Sequence, residues 1–374
     1  MTTDFPVSWT DLKFDNPKTF LTDSLIQELQ PLERPITSLR TDEPVVLCAA
    51  DDNYVQPLAV TLHSAASSLK LGKHLHVLLM DGGISEVNWI GLKETLAGLP
   101  ISIHVVRPDR SEIADLGISH HITHTAYFRL LAARLLPASI DKIIYLDSDV
   151  LVRGDLTELW NYDVGDQYCL AAVDIACPFI DAHRSDPRFR GSIPYLAELS
   201  PVRNWRELGL DGSASYFNSG VMVINLKRWR EERIEEQLLA CLRENSRYVW
   251  CWDQYALNVV FAGQWRPLPP RWNQGAHLFE YPDESCSPIE ALEFAQMRDD
   301  PALIHFTTEF KPWHYRLIHP WRDTWFESLD QTAWTNWRPT KSRFSLKEWW
   351  NRQAVYWIRK STISYRRVNA WLRQ

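Results

Sequence analysis

The sequence predicts an α/β protein built around a mainly parallel β-sheet with helices on its faces. Over residues 45–146, short apolar runs typical of buried strands alternate with segments whose apolar residues recur at helical spacing. Acidic residues also follow two such runs, with Asp51 after the first and Asp149 after a later one. Ligands of parallel sheets bind at the carboxyl ends of the strands. We therefore expect Asp51 and Asp149 to share a pocket.

The individual elements follow in chain order. Strands are predicted at residues 44–50, 75–80, 101–106, 142–146, 169–174, 221–226 and 303–306. Helices are predicted at residues 57–70, 85–99, 125–136, 227–245 and from 252 onward. Ser85 is a suitable N-cap for the second helix, and Pro137 ends the third. Residues 178–211 contain four prolines and predict a surface insertion, of the kind that forms binding lids in α/β enzymes.

Three regions differ in composition. Residues 1–43 contain four prolines and one short helical candidate at residues 20–29, which predicts an appended arm without chemistry. Residues 44–325 carry the alternating strands and helices of the main domain. Residues 326–374 form a basic, Trp-rich tail.

Composition and cysteine usage indicate a cytoplasmic protein. The chain of 374 residues is 45% hydrophobic and 23% charged, and its net charge of -7 gives no support to nucleic-acid binding. Its six cysteines show no Cys-x-x-Cys spacing, and several lie in apolar runs, as expected of free thiols in a reducing compartment. The N-terminus lacks the features of a signal peptide, and no apolar run approaches the ~18 residues of a membrane-spanning helix.

The last residues have the opposite charge to the chain as a whole. Residues 340–374 contain nine Lys or Arg, one acid (Glu348) and seven aromatic residues. Basic residues mixed with aromatics favour an anionic membrane surface, so we expect peripheral association with the inner face of the membrane. A solvated tail and a helix packed on the main domain are the alternatives.

A pair of acids after the strand at 142–146 is the candidate metal site. Asp147 and Asp149 are one residue apart, and in an extended segment such positions point the same way. Carboxylates at the end of a strand suit Mg²⁺ or Mn²⁺ held against a diphosphate. The alternative is an Asp-Ser-Asp turn that caps the next segment.

Six motifs in order resemble those of the family 8 glycosyltransferases, retaining GT-A enzymes that include bacterial lipopolysaccharide galactosyl- and glucosyltransferases. The similarity runs from about residue 45 to residue 314 and implies a Rossmann-like GT-A fold. The motifs are Ala49-Ala50-Asp51-Asp52-Asn53-Tyr54, Thr125-Ala126-Tyr127-Phe128-Arg129-Leu130, Tyr145-Leu146-Asp147-Ser148-Asp149, Phe217-Asn218-Ser219-Gly220-Val221, Trp252-Asp253-Gln254, and His305 with Lys311-Pro312-Trp313-His314.

The resemblance implies how a UDP-glucose or UDP-galactose donor is held. Asp147, Asp149 and His305 would bind Mn²⁺, with Mg²⁺ as an alternative, and the metal would bind the diphosphate. Two carboxylates and an imidazole would suit Mn²⁺ better than Mg²⁺. Ser148 would belong to the donor site, and Lys311 would neutralise phosphate charge as UDP departs. The alternatives are a core histidine at His305 and a surface lysine at Lys311. The residues matching the segment that holds uridine and ribose in the family are Ala49, Asp51, Asn53 and Tyr54.

The resemblance also implies the residues around the transferred sugar. Arg129 and Asp253 would face the donor hexose, and Asn218 would complete its pocket with Gln254, which would lie beneath the anomeric carbon. Because a glutamine amide is a poor nucleophile, we expect front-face substitution in which the leaving phosphate helps to deprotonate the acceptor. The residues matching positions near the acceptor are His121 and Asp174. Each of these residues has a structural alternative, such as a turn or a helix cap.

The sequence departs from the family in three places. Thr308 stands where a glycine would let the backbone approach the phosphates, which puts the local diphosphate geometry in doubt. Residues 178–211 share little with family members, so the acceptor cannot be carried over. Residues 1–43 lie outside the resemblance.

Three function classes are compared. The favoured hypothesis is a metal-dependent retaining enzyme that moves a hexose from a UDP-sugar to a glycan, lipid-linked or lipopolysaccharide acceptor. A catalytically silent sugar-nucleotide-binding or scaffold protein at the membrane is the alternative, although the complete set of candidate metal ligands argues against it. A nucleotidyltransferase would be expected to carry a Gly-rich phosphate loop after the first strand, where this chain has Asp51-Asp52-Asn53-Tyr54.

Overall fold

The structure is a computed structural model, which describes residues 42–117, 123–181, 200–281, 284–307, 311–314 and 319–340. Several sequence predictions lie outside these residues. They concern the arm before residue 42 with its candidate helix, His121, Thr308, and the basic segment after residue 340.

A seven-stranded sheet forms the centre of the molecule, and a three-stranded sheet lies beside it. The ten strands in the part of the chain that the structure describes are β1 (Val45–Ala50), β2 (Leu75–Asp81), β3 (Ile101–Val106), β4 (Lys142–Leu146), β5 (Val150–Val152), β6 (Cys169–Val173), β7 (Phe217–Asn225), β8 (Trp265–Pro267), β9 (Gln274–Gly275) and β10 (Leu303–His305). The large sheet has the order β3-β2-β1-β4-β7-β6-β8. All its neighbours are parallel except β7, which runs antiparallel to β4 and β6. The predicted mainly parallel sheet is confirmed.

Strand β1 lies inside the large sheet, between β2 and β4. All six of its residues are buried, from Val45 to Ala50. A strand covered by helices on both faces needs apolar residues at every position, which explains its continuous apolar run. Its carboxyl end delivers Asp51 to the edge of the sheet where the site is found.

The three-stranded sheet brings the downstream histidine to the acidic turn. Strand β10 lies between β5 and β9, and it pairs antiparallel with β5 so that His305 is opposite Val150. The turn from Asp147 to Asp149 connects β4 of the large sheet with β5 of the small one. His305 is therefore held next to the acids by backbone pairing.

Nine α-helices are present in the described residues. They are α1 (Val55–Ser67), α2 (Glu86–Leu96), α3 (Ala132–Leu135), α4 (Leu156–Trp160), α5 (Leu226–Glu231), α6 (Ile234–Glu244), α7 (Trp252–Val260), α8 (Ala291–Asp299) and α9 (Arg322–Leu329). Ser85 caps α2 as predicted, and its side chain accepts from the Asn88 N–H at 3.5 Å. None of the described helices is long and apolar enough to cross a membrane.

Two of the predicted helices differ from the helices in the structure. The one expected at 125–136 is mostly 3₁₀, running from His124 to Leu131 before the short α3. The one expected at 227–245 is two helices, because Arg233 between α5 and α6 has a φ of 53°. This left-handed residue turns the chain, so that Trp229 and Ile234 are both fully buried.

The boundary expected between residues 325 and 326 falls inside helix α9. Phe326 and Leu329 of that helix are buried in the core, as is Trp334 after it. The backbone N–H of Ala333 donates to Thr95 Oγ1 on α2 at 3.0 Å. The main domain therefore continues past residue 326 to at least Trp334.

Candidate active site

A cavity of about 950 Å³ lies where β1, β4 and β10 end and where β7 and α7 begin. Because β7 runs antiparallel, its first residues reach the same edge of the sheet as the last residues of β1 and β4. Asp51 and Asp149 both line this cavity, as the sequence predicted. The position agrees with the general rule that ligands of open α/β sheets bind at the strand ends.

Backbone and hydroxyl contacts hold the acidic turn in place. The Asp147 N–H donates to the Gly220 carbonyl at 2.8 Å. Ser148 Oγ donates to the Ala49 carbonyl at 2.6 Å, which ties the turn to the end of β1. The hydroxyl of Thr61 on α1 lies 3.0 Å from the Ser148 carbonyl. With the turn's backbone bonded on several sides, the side chains of Asp147 and Asp149 both reach the cavity.

Each acid has one oxygen engaged by a cationic side chain and one oxygen near His305. Arg129 Nη2 donates to Asp147 Oδ1 at 2.7 Å, and Lys311 Nζ donates to Asp149 Oδ2 at 2.6 Å. The remaining oxygens, Asp147 Oδ2 and Asp149 Oδ1, lie 3.6 and 3.3 Å from His305 Nε2. The two cations therefore balance the acids without occupying the oxygens that face the histidine.

The Asp149–Lys311 pair is charged although it is buried. Burial opposes ionisation of Asp149, but the Lys311 ammonium holds the pKa of this carboxyl well below its usual range. Burial likewise opposes the charge on Lys311, and the Asp149 carboxylate reverses that effect and raises the pKa of the amine. Lys311 is thus a fixed cation at the acidic turn and not a surface lysine.

The residues present fit a divalent cation. One ligand atom from each of Asp147, Asp149 and His305 lies within 4.8 Å of the others, and no other group of three or more His, Cys, Asp or Glu residues within the described ranges does the same. Asn273 Oδ1 lies 2.9 Å from His305 Nδ1, which leaves Nε2 to face the acids. Two carboxylate oxygens and one imidazole nitrogen suit Mn²⁺. The residues that sequence reasoning grouped as metal ligands are therefore brought together.

Gly220 leaves the room that the ligands occupy. A Cβ at this position would overlap His305 Cε1 and would lie 2.7 Å from Asp147 Oδ2. We expect Gly220→Ala to displace both side chains, to weaken Mn²⁺ binding by about 10- to 100-fold, and to destabilise the fold by about 1–3 kcal/mol. Titration of free Mn²⁺ by electron paramagnetic resonance and thermal unfolding would measure the two effects.

Gly117→Ala is the matched control for this substitution. A Cβ added at Gly117 meets no atom within 4 Å, so both the metal affinity and the melting temperature should stay at their original values. Unchanged Mn²⁺ affinity in Gly220→Ala would contradict the close packing of Gly220 against the ligands.

Arg129 connects the acidic turn with the start of α7. Its side chain is buried, and its Nε lies 3.1 Å from Asp253 Oδ2 while its guanidinium carbon lies 4.0 Å from the centre of the Tyr145 ring. Burial raises the pKa of Asp253 to about 6, an effect that Arg129 only partly offsets. The Tyr145 hydroxyl donates to Asp147 Oδ1 at 2.8 Å, beside the Arg129 contact. One guanidinium therefore positions two acids of the cavity wall.

Both ends of the Gln254 amide are engaged. Its Nε2 donates to Asp174 Oδ2 at 2.9 Å, and its Oε1 accepts from the Ser219 N–H at 3.0 Å. Asn218 Nδ2 also donates to Asp174 Oδ2, at 3.2 Å. Trp252, which begins α7, has a φ of 46°, a conformation that L-residues rarely adopt. Gln254 is thus held in one orientation on the cavity wall.

The end of β1 forms another part of the wall. Asp51 accepts from the Asn53 N–H at 3.0 Å and from the Thr123 hydroxyl at 2.9 Å. The Tyr54 ring meets Trp313 edge to face, with 6.2 Å between ring centres. Burial raises the pKa of the Tyr54 hydroxyl to about 12, so it is neutral and able to donate. Asn53 is exposed and does not line the cavity.

Most of the residues singled out in the sequence meet in this cavity. Those that line it are Ala49, Asp51, Tyr54, Arg129, Asp147, Ser148, Asp149, Asp174, Asn218, Asp253, Gln254, His305 and Lys311. His121 is outside the described residues. Sequence reasoning missed Asn273, which no local pattern distinguishes, and Tyr145, whose spacing of two residues from Asp147 could have indicated it. It also missed Trp250, an exposed aromatic residue of the cavity wall.

Comparison with known families identifies the family of this chain. The family described as "Glycosyl transferase family 8" matches residues 45–316. The chain belongs to this glycosyltransferase family. The resemblance read from the six motifs is therefore confirmed, and so is the class of enzyme.

Individual relatives and structures agree with this assignment. General stress protein A of Bacillus subtilis is 29% identical over 300 residues, which are 79% of this chain and 96% of that protein. Lipopolysaccharide 1,2-glucosyltransferase of Escherichia coli K12 is 24% identical over 324 residues, 85% of this chain and 87% of the relative. A crystal structure of galactosyltransferase LgtC with donor and acceptor sugar analogs is 25% identical, with a TM-score of 0.64 over 80% of this chain and 99% of LgtC. The predicted GT-A fold is confirmed by this likeness.

Proposed function

We propose that this family 8 member is a retaining, divalent-metal-dependent hexosyltransferase, which moves glucose or galactose from UDP to a glycan, lipid-linked or lipopolysaccharide acceptor. The observation that supports this most is the convergence of Asp147, Asp149 and His305 within 4.8 Å. The same cavity contains Asp51 and Gln254. LgtC is a galactosyltransferase and the E. coli relative is a lipopolysaccharide glucosyltransferase, which supports a hexose donor and a glycan acceptor.

The charges of the cavity suit a diphosphate leaving group. Asp147, Asp149 and His305 would hold the cation, which when bound supplies positive charge to the donor's phosphates. Lys311 is a second cation, held by Asp149 and by the Phe306 carbonyl, each at 2.6 Å. A cation fixed in advance stabilises charge that develops on UDP without reorganising during the reaction.

The contacts of Gln254 support retention by front-face substitution. Its amide oxygen is occupied by the Ser219 N–H, and its amide nitrogen by Asp174. An amide so engaged is a poor nucleophile, which argues against a covalent glycosyl-enzyme intermediate. We infer that the acceptor attacks from the side that UDP leaves, and that the departing phosphate takes the proton of the acceptor hydroxyl.

A UDP-release screen tests the proposal. The full-length chain is supplied with UDP-glucose, UDP-galactose and UDP-N-acetyl sugars, each with Mn²⁺, with Mg²⁺ or with EDTA. We expect release from a UDP-hexose that requires the metal. Absence of UDP binding by calorimetry with Mn²⁺ present would remove the proposal. UDP binding without turnover of any donor, in the presence of a panel of oligosaccharide acceptors, would favour the silent binding protein.

Trp250 is a candidate platform for an acceptor sugar. It is 38% exposed and lines the cavity four residues before Gln254. Of the large hydrophobic residues exposed in the described part of the chain, which are Leu71, Val87, Trp250 and Leu292, it alone lines the cavity. A flat apolar ring beside polar groups suits the apolar face of a pyranose.

We expect Trp250→Ala to raise the KM for an oligosaccharide acceptor by about 10-fold or more, since a buried aromatic contact is worth roughly 1.4 kcal/mol or more in binding. The KM for the donor should stay the same, and Trp250→Phe should keep most of the affinity. Leu292→Ala, which removes an exposed side chain elsewhere, is the control. Steady-state kinetics in which donor and acceptor KM rise together would count against the platform.

We further propose that residues 340–374 attach the enzyme to an anionic membrane. Their nine basic residues and seven aromatics support this, and nearly all of them lie outside the described residues. Each basic residue near such a surface contributes about 1 kcal/mol to the free energy of membrane binding. Deleting residues 340–374 should therefore remove most co-sedimentation with phosphatidylglycerol vesicles at low salt, while neutral phosphatidylcholine vesicles serve as the control. Equal sedimentation of both proteins would contradict the proposal.

A further inference from the structure

Side-chain hydrogen bonds run without a break from Gln254 to His305. Gln254 Nε2 donates to Asp174 Oδ2 at 2.9 Å, and Asn218 Nδ2 donates to the same oxygen at 3.2 Å. Asn273 Nδ2 donates to Asn218 Oδ1 at 2.9 Å. Asn273 Oδ1 lies 2.9 Å from His305 Nδ1. Asp174, Asn273 and His305 are all buried, so water competes little for these bonds.

The orientation of the Asn218 amide is fixed from two sides. The carboxylate of Asp174 can only accept, so the Asn218 atom that faces it must be the nitrogen. The backbone N–H of Gly220 can only donate, so the Asn218 atom that it meets at 3.0 Å must be the oxygen. The two requirements agree on one orientation of the amide.

The orientation of the Asn218 amide also fixes the orientation of Asn273 and the position of a hydrogen on His305. Because Asn218 presents its oxygen, the facing atom of Asn273 must be the nitrogen. The other end of the Asn273 amide is then its oxygen, which can only accept. His305 Nδ1, which meets that oxygen at 2.9 Å, must therefore carry a hydrogen.

We propose that Asn273 is a positioning residue, which holds His305 in the Nδ1–H tautomer and so directs the Nε2 lone pair at the two acids before any cation binds. The inference deepens the proposed function and rests on it for the identity of the ion. The opposite tautomer would place two acceptors 2.9 Å apart at Asn273 with no hydrogen between them, which is unfavourable. It would also let Nε2–H donate toward Asp149, 3.3 Å away, and so cover the metal-binding atoms of both residues.

For the neutral ring, the consequence is a site made of acceptors only. His305 Nε2, Asp147 Oδ2 and Asp149 Oδ1 then face one another with no hydrogen between them. Such a cluster is stabilised by a cation. Metal-binding histidines in proteins commonly have the second ring nitrogen fixed in this way, and losing that partner lowers metal affinity by about 10- to 100-fold. The partner here is an amide oxygen that comes from the segment before β9.

The tautomer is measured directly in the unmutated, full-length chain. The protein is labelled with ¹⁵N-histidine, freed of metal by a chelator, and studied by long-range ¹H–¹⁵N correlation at a pH where the His305 ring is neutral. Loss of its signals in His305→Gln identifies the residue. We expect the pattern of an Nδ1–H ring. A pattern of an Nε2–H ring overturns the inference without any need for a folded variant of Asn273.

Variants of Asn273 give the second readout. In Asn273→Ala, we expect the Nε2–H form to appear and the affinity for Mn²⁺, followed by the resonance of the free ion, to fall by about 10- to 100-fold. In Asn273→Asp, a carboxylate oxygen still accepts from Nδ1–H, so the Nδ1–H tautomer should persist. Affinity should recover only in part, because the other carboxylate oxygen cannot replace the Asn273 donor to Asn218 Oδ1. Asn204→Ala is the matched control, since Asn204 is an equally buried asparagine that bonds Tyr255 and Asn245. Equal losses of Mn²⁺ affinity in Asn273→Ala and Asn204→Ala would overturn the inference.

These outcomes separate the inference from the proposed function. An Nδ1–H ring and Mn²⁺ binding without turnover of any UDP-sugar would sink the proposed function alone. Metal-dependent UDP release with an Nε2–H ring in the metal-free chain would sink the inference alone.

Discussion

Asp147→Asn and Asp149→Asn should each lower UDP-sugar turnover by about 1,000-fold or more. Each substitution replaces one of the two carboxylate oxygens that lie near His305 by a neutral amide. A bound cation contributes several kcal/mol of charge stabilisation in transfer reactions, and about 4 kcal/mol corresponds to the expected factor. Metal-dependent binding of UDP should be lost together with turnover.

The two variants should differ in stability. Asp149→Asn removes the carboxylate that holds the buried Lys311 ammonium at 2.6 Å, and we expect it to lower the free energy of unfolding by about 2–3 kcal/mol. The loss is limited because Lys311 keeps its bond to the Phe306 carbonyl. Asp147→Asn should cost less, since Arg129 retains Asp253 and donates to the Ser219 carbonyl at 2.9 Å.

Turnover, Mn²⁺-dependent UDP binding by calorimetry, and unfolding in urea would be measured for both variants. Asp163→Asn is the control, because Asp163 is an exposed turn residue away from the cavity and its asparagine can form the same turn with Gly165. Turnover at the original rate in either Asp147→Asn or Asp149→Asn would show that the acids are structural.

Arg129→Ala should be the most destabilising of the substitutions considered. It leaves Asp147 without its 2.7 Å partner and the buried Asp253 without a cation at 3.1 Å. Removing one partner of a buried ion pair typically costs about 3–5 kcal/mol, because the remaining charge stays desolvated. Arg129→Lys should recover only part of the lost stability, since a single ammonium cannot make the separate bonds of the guanidinium. Unfolding in urea at neutral pH gives the free energies directly.

Arg134→Ala tests the role of burial in that prediction. Arg134 also pairs with two acids, Glu112 and Glu235, but its side chain is 47% exposed. Solvent-screened pairs are worth no more than about 1 kcal/mol, so this variant should stay close to the original stability. If Arg129→Ala lowered the free energy of unfolding no more than Arg134→Ala does, the acids around Arg129 would not need its charge for stability.

Some features of the fold could be predicted from local sequence signals, and others could not. The apolar run of β1 and the acids after β1 and β4 are local signals, because burial on both faces of a central strand requires apolar residues at every position. They were sufficient to predict the mainly parallel sheet and a shared pocket for Asp51 and Asp149. The break at Arg233 and the antiparallel direction of β7 had no such signal, because both are settled by what the chain packs against.

The fold class, the edge of the sheet where ligands bind, and the residue types suited to a divalent cation could all be predicted from the residues alone. Three features became visible only in the folded chain: which carboxylate oxygens face His305, the room that Gly220 leaves for them, and the bond from Asn273 to the far side of the imidazole. Strand and helix patterns arise from neighbours along the chain, whereas a cation site depends on distances of a few ångströms between segments that the fold brings together.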